Sequence, residues 1–444
     1  MEERTASNIE KPASKLEIFS WAMFDFANST YATIVMTAVY SAYFVKTVAG
    51  KTEGIGESMG TLLLTISVCI SSLLIVFTAP IIGSMADATA QKKKYLFIAT
   101  IVCIIFTGLL ALVGSNDVWI GLALLVVANT CFGTGEDLIA AFLPEIATRD
   151  TMGRISAFGW TVGYVGGLFS LGVCLLYINW ARGQGLSDHV YVPVAMLLTS
   201  GMFFLGSLPT FLFLKERAKP DPELAKVNHV KLAFERLGET IKHASHYKDL
   251  ARFLLTLFCY SCGTTTVFTL ASVYAQQVMG FSTADSIIMI LVVNVTGAIG
   301  AFSFGFIQDK FGSIRTLAVS LVIWACATSL AFAATTRPVF WVVAILVGIA
   351  MGASQSAGRA LVGLFSPEGR SAEFFGLWGL VVKLATAVGP LSFGLVSYLT
   401  NSNYRIAILS TTIFFVVAVI LLFTVDEKRG RLAAHVLKEE AMES

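Results

Sequence analysis

The chain has 444 residues, of which 56% are apolar or aromatic and only 14% are charged. Soluble domains carry about 25% charged residues, so this chain lacks the charge to cover several soluble domains. The formal net charge of +2 argues against nucleic-acid binding, which uses a broad basic face. The composition therefore predicts an all-α protein that crosses a membrane many times.

Twelve apolar stretches are long enough to cross a bilayer, which takes about 20 helical residues. Transmembrane strands would instead show alternating segments of about 10 residues. The first apolar run is too long for the core of a signal peptide, so it is predicted to be an uncleaved first helix. The predicted spans are 19–45, 59–85, 95–113, 118–143, 155–179, 191–214, 253–278, 286–307, 316–335, 338–362, 374–399 and 406–425.

The basic residues predict the orientation of these spans. If both termini share one side, that side holds 25 of the 31 Lys and Arg residues, and Lys383 lies within a span. The other five are Lys46, Lys51, Arg182, Arg337 and Arg405. The positive-inside rule then places both termini in the cytoplasm. Short loops favour a bacterial inner (plasma) membrane over an organelle.

Three marks recur in the second half of the chain at nearly one offset. They are Gly83–Asp87 with Gly305–Asp309 (offset 222), Pro144-Glu145 with Pro367-Glu368 (223), and Phe158-Gly159 with Phe375-Gly376 (217). This repetition indicates a parallel duplication of six helices, which suits two bundles rocking about one central site.

The duplication divides the chain into four predicted parts. The two halves are six-helix bundles, joined by a cytoplasmic linker and followed by a cytoplasmic tail. Their bounds are 1–215 for the first bundle, 216–252 for the linker, 253–425 for the second bundle and 426–444 for the tail.

Two six-helix halves with G-x-x-x-D after helices 2 and 8 resemble the major facilitator superfamily. Further stretches resemble its vacuole-effluxer-like branch, whose best-known member exports amino acids from the fungal vacuole. These stretches are Phe24–Ser29, Phe142–Ala147, Gly153–Trp160, Gly163–Gly167, Gln355 with Arg359, and Glu373–Gly376. The resemblance runs nearly end to end. It implies alternating access, with helices 1, 4, 7 and 10 lining a central cavity.

Five charged residues lie inside four of the apolar stretches, where each costs at least ~2.5–3.5 kcal/mol at mid-membrane. They are Asp25, Glu136, Asp137, Arg359 and Lys383. Most fall on helices that the resemblance assigns to the cavity, which favours a role in transport. The alternative is structural ion pairing between the bundles.

Glu136 and Asp137 are the candidates for proton coupling, together with Asp25. Adjacent residues point about 100° apart on a helix, so the two acids cannot face the cavity equally. Two neighbouring carboxylates disfavour double ionisation, as a proton carrier requires. The alternative for this pair is a salt bridge to Arg154 or Arg359.

Lys383 lies about ten residues into helix 11, too deep to reach the interface easily. It is predicted to bind a substrate carboxylate or phosphate, or to pair with an acid in one state. Asp25 could bind a substrate ammonium, or serve in helix packing or gating. The other predicted substrate-binding residues are Asn28, Tyr260, Thr264, Asn294, Gln355 and Trp378.

The repeated loops after helices 2 and 8 are predicted to act as gate latches. Asp87 and Asp309 can each cap a neighbouring helix N-terminus, where the macrodipole favours an anion. The second copy keeps Lys310, Gly312 and Arg315 of the superfamily pattern. In the first copy, Ala88 and Ala90 stand where the superfamily prefers Arg and Gly, and only Lys92–Lys94 keep the basic end. The Asp309 latch is therefore expected to matter more. The other predicted latch residues are Lys310, Arg315, Arg154 and Arg359.

The sequence predicts a secondary transporter of a small polar organic solute, with an amino acid favoured by the resemblance and a proton as the coupling ion. The alternatives are a transporter of amphipathic or lipid-like molecules and a non-transporting receptor or scaffold. No nucleophile–base pair, metal cluster or ATPase motif is visible, so we expect no enzyme activity, cofactor or metal. The seven cysteines lie in apolar runs, which argues against disulfides. The expected partners are the solute, protons and the bilayer, with the protein a monomer.

Overall fold

The computed structural model describes residues 13–148, 150–218, 248–367, 370–401 and 403–432. Twelve of its helices are long and apolar enough to cross a membrane, which confirms the predicted all-α polytopic fold. They are α1 (Lys15–Tyr31, continued by further helical turns to Ala49), α2 (Gly56–Thr89), α3 (Lys92–Leu109), α4 (Val118–Ala140), α5 (Met152–Gly183), α6 (Asp188–Phe213), α7 (Lys248–Met279), α8 (Thr283–Phe311), α9 (Ser313–Ala333), α10 (Arg337–Phe365), α11 (Ser371–Leu399) and α12 (Tyr404–Leu422). Most of the predicted linker, the end of the predicted tail and Glu368 lie outside the described residues.

The helices alternate in direction, so α1 begins and α12 ends at the same end of the bundle. We call this the proximal end, and the other the distal end. α1 begins with a capping box, in which Ser14 and Glu17 satisfy each other's backbone N–H groups. This cap fixes where the first helix starts at the proximal end.

Two helix pairs join the halves. α2 packs along α11, and α5 packs along α8. These pairs are related by the duplication, because α5 and α11 occupy equivalent places, as do α2 and α8. Glycines bring the backbones together: a Cβ atom on Gly83 would lie only 2.2 Å from the carbonyl oxygen of Ala372. The α2–α11 contact is therefore close enough to exclude a side chain at Gly83.

The first helix changes its hydrogen-bond pattern after Tyr31. Residues Ala32–Ala38 and Phe44–Ala49 are π-helical, with a short α-helical turn between them. π-Helical segments are rare and often occur at functional sites. The sequence analysis did not predict this irregularity, because α-helical periodicity does not describe the π-helical turns in the distal part of α1.

The polar contacts between the halves are concentrated toward the proximal end. Among the described residues, the hydrogen bond from Thr161 to the Ala298 carbonyl oxygen (3.5 Å) lies deepest, about ten residues into α5. The others join residues nearer the starts of α5 and α11 or the ends of α2, α8 and α10. The two halves are therefore latched to each other at the proximal end.

Candidate transport site and latches

An ion pair between the halves lies where α1, α5 and α10 meet. Nη1 of Arg359, from the second half, donates to Oδ2 of Asp25, from the first half, at 2.8 Å. Arg359 is 3% exposed and also donates to the hydroxyl of Ser156 (3.2 Å) and to its carbonyl oxygen (2.7 Å). Charge-assisted hydrogen bonds of this kind are stronger than neutral ones, so these contacts fix the guanidinium between the halves.

Two indoles and a glycine complete the surroundings of Arg359. Its guanidinium carbon lies 4.8 Å from the ring centroid of Trp21 and 5.2 Å from that of Trp160. Cation–π contacts stabilise a desolvated cation. A Cβ atom on Gly159 would lie 2.4 Å from the Asp25 carboxylate and 2.6 Å from Arg359. Only glycine leaves room for the ion pair to cross α5 at this point.

A second charged group lies between α4 and α11. The carboxylate of Asp137 sits directly over Gly379, where a Cβ atom would lie 2.3 Å from both carboxylate oxygens. The Lys383 stem passes Gly133, where a Cβ atom would lie 3.5 Å from its Cε atom. Lys383 is therefore about one helical turn, roughly 6 Å, further toward the distal end than Asp137.

The two acids of this group differ in burial, as their 100° separation requires. Asp137 is 5% exposed, and its Oδ2 atom has no hydrogen-bond partner among the described residues. Glu136 is half-buried and lies within electrostatic range of Lys383, Asp25 and Arg359. No ion pair shorter than 4.0 Å joins Lys383 to any acid in the described chain. The group thus contains one basic and two acidic side chains without direct pairing.

The alternative partners predicted for Glu136 and Asp137 are engaged elsewhere. Arg359 pairs with Asp25, and Arg154 lies 3.7 Å from Asp309. The suggested salt bridge from the acid pair to either arginine is therefore wrong for this conformation. The reason is the rotation of α10, which directs Arg359 toward α1 and α5 rather than toward α4.

The last turn of α8 caps α5. Oδ1 of Asp309 accepts hydrogen bonds from the backbone N–H groups of Gly153 (3.0 Å) and Arg154 (3.3 Å), at the start of α5. This is the geometry that the macrodipole argument predicts for an anion at a helix N-terminus. Lys310 instead lies over the ring of Phe311 (5.4 Å), and Arg315 is exposed at the start of α9. These two basic residues are not brought to Asp309.

The last turn of α2 caps α11 in the equivalent way. Oδ2 of Asp87 accepts from the backbone N–H of Glu373 at 2.9 Å. The Lys92 ammonium lies 3.5 Å from Oδ1 of Asp87, forms a close ion pair with Glu145, and donates to the Ser371 hydroxyl at 2.8 Å. This latch therefore joins three segments of the first half to the start of α11.

The uncharged candidates are spread over α1, α7, α8, α10 and α11. Asn28 is buried with Oδ1 unpartnered among the described residues. Tyr260 is buried against α10, where a Cβ atom on Gly358 would lie 2.3 Å from its hydroxyl. Thr264 and Asn294 bond to carbonyl oxygens of their own helices. Trp378 is buried beside Phe375, and Gln355 is half-buried.

Sequence reasoning missed two glutamates that cap helices at the proximal end. Glu216 follows α6 and accepts from the N–H groups of Lys92 and Lys93 at the start of α3. Glu427 follows α12 and accepts from Ser313 (3.0 Å) and Ile314 (3.2 Å) at the start of α9. The signal was present, because these glutamates are 211 residues apart, close to the other offsets of the duplication.

Burial raises the pKa of the Glu216 carboxyl above its ordinary value, although the two backbone donors and Lys92 act in the opposite direction. Glu216 lies beyond the end of α6.

Groups of three or more His, Cys, Asp or Glu residues that could hold a metal ion are absent from the described part of the chain. All seven cysteines are free thiols.

The helix arrangement and the paired aspartates at the ends of α2 and α8 define the class of this protein as one with the major facilitator fold. The structure of the human organic anion transporter MFSD10 (TETRAN) superposes with a TM-score of 0.68 and 16% sequence identity, over 92% of this chain and 98% of that one. At that identity the likeness shows the fold alone.

The sequence gives the family. The profile described as vacuole effluxer Atg22 like matches residues 56–435, and the chain belongs to this family. An uncharacterized MFS-type transporter of Bacillus subtilis, YxiO, is 27% identical over 92% of this chain and 94% of its own length. Autophagy-related protein 22 of Vanderwaltozyma polyspora is 22% identical over 82% of this chain and 78% of its own. The protein is thus an integral membrane transporter of the major facilitator type, a class that does not consist of enzymes.

Proposed function

We propose that the protein is a secondary active transporter that moves a small polar organic solute, in the first instance an amino acid, across the bacterial plasma membrane with a proton as the coupling ion. The observation that carries this proposal is the group of Lys383, Glu136 and Asp137 between α4 and α11. It places an unpaired ammonium beside a buried carboxylate that lacks a partner among the described residues.

The charges of this group match the two ends of a zwitterion. Lys383 faces the distal side of Asp137 and can bind a substrate carboxylate, while Glu136 is the half-buried acid that can face a substrate ammonium. When all three side chains are ionised, the group carries one excess negative charge. One proton on the acid pair brings the group to zero charge, which is the property that a proton-coupled site needs.

The ion pair of Asp25 with Arg359 then serves as the gate between the halves. It lies within electrostatic range of Glu136 and is supported by Trp21, Trp160 and Ser156. With the termini in the cytoplasm, the latched proximal end corresponds to a state closed to the cytoplasm. Transport requires these contacts to separate when the bundles rock.

The test is uptake by purified protein in liposomes from a mixed pool of amino acids and small organic anions, with and without an imposed pH gradient. We expect gradient-dependent depletion of one amino acid. K383A should abolish its binding, whereas K46A, which removes an exposed lysine at the distal end, should not. E136Q or D137N should remove the dependence on the gradient.

Each part of the proposal can fail separately. Proton-driven uptake that survives in both E136Q and D137N would contradict the coupling assignment. Unchanged substrate affinity in K383A would contradict carboxylate binding. A pool left undepleted would contradict the amino-acid assignment and move amphipathic or lipid-like molecules to first place.

A further inference from the structure

A groove of about 640 Å³ opens at the proximal end between α1, α5 and α8, away from the Lys383 group. Three basic residues contribute to its rim: Lys15 at the start of α1, Arg154 at the start of α5, and Arg217 after α6. Most of the remaining wall is apolar and is formed principally by Ile18, Ile155, Phe158, Phe302 and Phe306. The groove therefore combines a cationic rim with an apolar wall.

The polarity of the groove follows depth along the helices. α8 ends at Phe311, so Phe302 lies nine residues, about 13 Å, from the end at which the rim lies. Phe302 and Phe306 are 52% and 55% exposed, and their rings meet edge to face at 5.2 Å. A basic rim at the helix ends above an aromatic wall matches the order of a phospholipid head group and its acyl chain.

Two acids near the rim, Glu145 and Glu17, already have cationic partners. Glu145, which lines the groove, pairs with Lys92, and Glu17 pairs with Arg217 at 3.0 Å. One guanidinium nitrogen of Arg217, Nη1, is buried and has no hydrogen-bond partner among the described residues. The rim thus retains an unused N–H donor that is held in place by the Glu17 pair.

Two further cations at the rim are largely uncommitted. Lys15 is exposed, and the described residues place no carboxylate within 4.0 Å of its ammonium. The side chain of Arg154 is 54% exposed and approaches Asp309 only at 3.7 Å. Asp309 is already satisfied by two backbone N–H groups of α5. Arg154 can therefore turn toward an anion in the groove without leaving Asp309 unpartnered.

We propose that this groove is a binding site for an anionic phospholipid. The phosphate contacts Lys15, Arg154 and Arg217, and an acyl chain covers Phe302 and Phe306. A soluble phosphoester would satisfy the rim but would leave the apolar wall uncovered. Since α1 and α5 belong to one half and α8 to the other, the bound lipid bridges the halves at the latched end. The site does not depend on which solute is transported.

The test is native mass spectrometry of the detergent-purified full chain, titrated with phosphatidylglycerol or with phosphatidylcholine of the same acyl chains. For the wild-type protein we expect the apparent Kd for phosphatidylglycerol to be about tenfold lower than that for phosphatidylcholine, since each basic residue near a membrane surface attracts anionic lipid. The double variant K15Q/R154Q should reduce this preference to about twofold or less. The matched control K94Q/K428Q removes two exposed lysines at the same end and should keep the wild-type preference.

Two further measurements separate lipid binding from other causes. The thermal midpoint of K15Q/R154Q without added lipid should equal that of the control, and phosphatidylglycerol should raise it less. Glycerol 3-phosphate at the same concentrations should not displace the lipid. Equal binding of both lipids by the wild type, or an equal loss of preference in the control, would overturn the proposal. Displacement by glycerol 3-phosphate would overturn it too, because a soluble phosphoester would then be the ligand.

Discussion

The two latches at the proximal end share one design but differ in how deeply they are buried. In both, an aspartate at the end of one helix caps the first turn of a helix in the other half. The Asp87 side chain is fully buried, and its partner Lys92 is 1% exposed. The Asp309 side chain is 16% exposed, and its partner Arg154 is 54% exposed. The copy that departs further from the superfamily pattern is therefore the more buried one.

The difference arises from where each latch obtains its cation. The first copy has Ala88 where the second has Lys310, but Ala90 adopts a left-handed conformation (φ 48°) that ends α2. The next helix, α3, begins at Lys92, whose ammonium lies 3.5 Å from the Asp87 carboxylate. We propose that burial, rather than similarity to a motif, decides which latch is the stronger, which is the opposite of the expectation that Asp309 matters more.

The largest expected effect is the loss of the buried cation. In K92M, the carboxylates of Asp87 and Glu145 lose their shared partner, and removal of one member of a buried pair costs about 3–5 kcal/mol. In R154M, the lost contact is exposed and contributes about 0–1 kcal/mol. The measurement is the thermal unfolding midpoint of each purified variant beside the wild type. Equal shifts for the two variants would contradict the difference in strength between the latches.

The turns that end α2 and α8 offer a matched pair of substitutions, whose expected effects on stability are smaller. Gly312 has φ 88° and ψ 156°, a conformation that only glycine adopts without strain, so G312A should cost about 1–3 kcal/mol. Ala90 is the equivalent residue at an offset of 222, and A90G relieves a left-handed alanine. We expect A90G to be neutral or to stabilise by at most about 1 kcal/mol. The same unfolding midpoints measure both, and a destabilising A90G would contradict this account of the first latch.

The carboxylates of the latches should also differ in their control of opening. D87N keeps an acceptor for the Glu373 N–H group, but it loses the buried contact with Lys92 and leaves Lys92 with Glu145 alone, so we expect increased access to the proximal end. D309N keeps an acceptor for the α5 N–H groups and loses only the exposed Arg154 contact. Labelling of a cysteine introduced at Ser156, between the halves, reports opening through its rate. We expect a faster rate in D87N than in D309N, and the reverse order would restore the Asp309 latch to first place.

Much of the fold follows from composition and spacing. Apolar length predicted the twelve helices, and the offsets near 220 predicted which helices are equivalent. Capping by Asp87 and Asp309 follows from local chemistry, because a carboxylate after a helix needs a donor and a neighbouring N-terminus supplies one. These features need only the order of residues along the chain.

The arrangement of the charged groups could not be predicted in the same way. Asp25 and Arg359 are 334 residues apart, and their pairing depends on the depth and rotation of α1 and α10 within the packed bundle. Glu136 could have paired with either arginine on charge grounds alone. The room that Gly159 leaves for the ion pair is visible only when three helices are packed together.

The smallest expected effect concerns Glu216, which caps α3 just before the chain reaches Lys92. Its pKa is raised by burial from the ordinary 4.5, so the folded protein binds a proton there more tightly than the unfolded chain does. Its contribution to stability is therefore present at low pH and falls as the pH rises from about 4.5 through the raised pKa, remaining constant above it. E216Q removes this dependence. The thermal midpoint of E216Q should therefore rise relative to that of the wild type as the pH increases across that interval.

E427Q provides the control, because it removes the equivalent cap on α9 and leaves Glu216 in place. Thermal midpoints measured at intervals between about pH 4 and 8 for the three proteins isolate the contribution of Glu216, since other titrating groups are common to wild type and E216Q. Parallel curves for wild type and E216Q would mean that the folded protein does not bind the proton more tightly. In that case the cap beside Lys92 would be as open to water as its counterpart, and the burial of the first latch would end at Asp87 and Lys92.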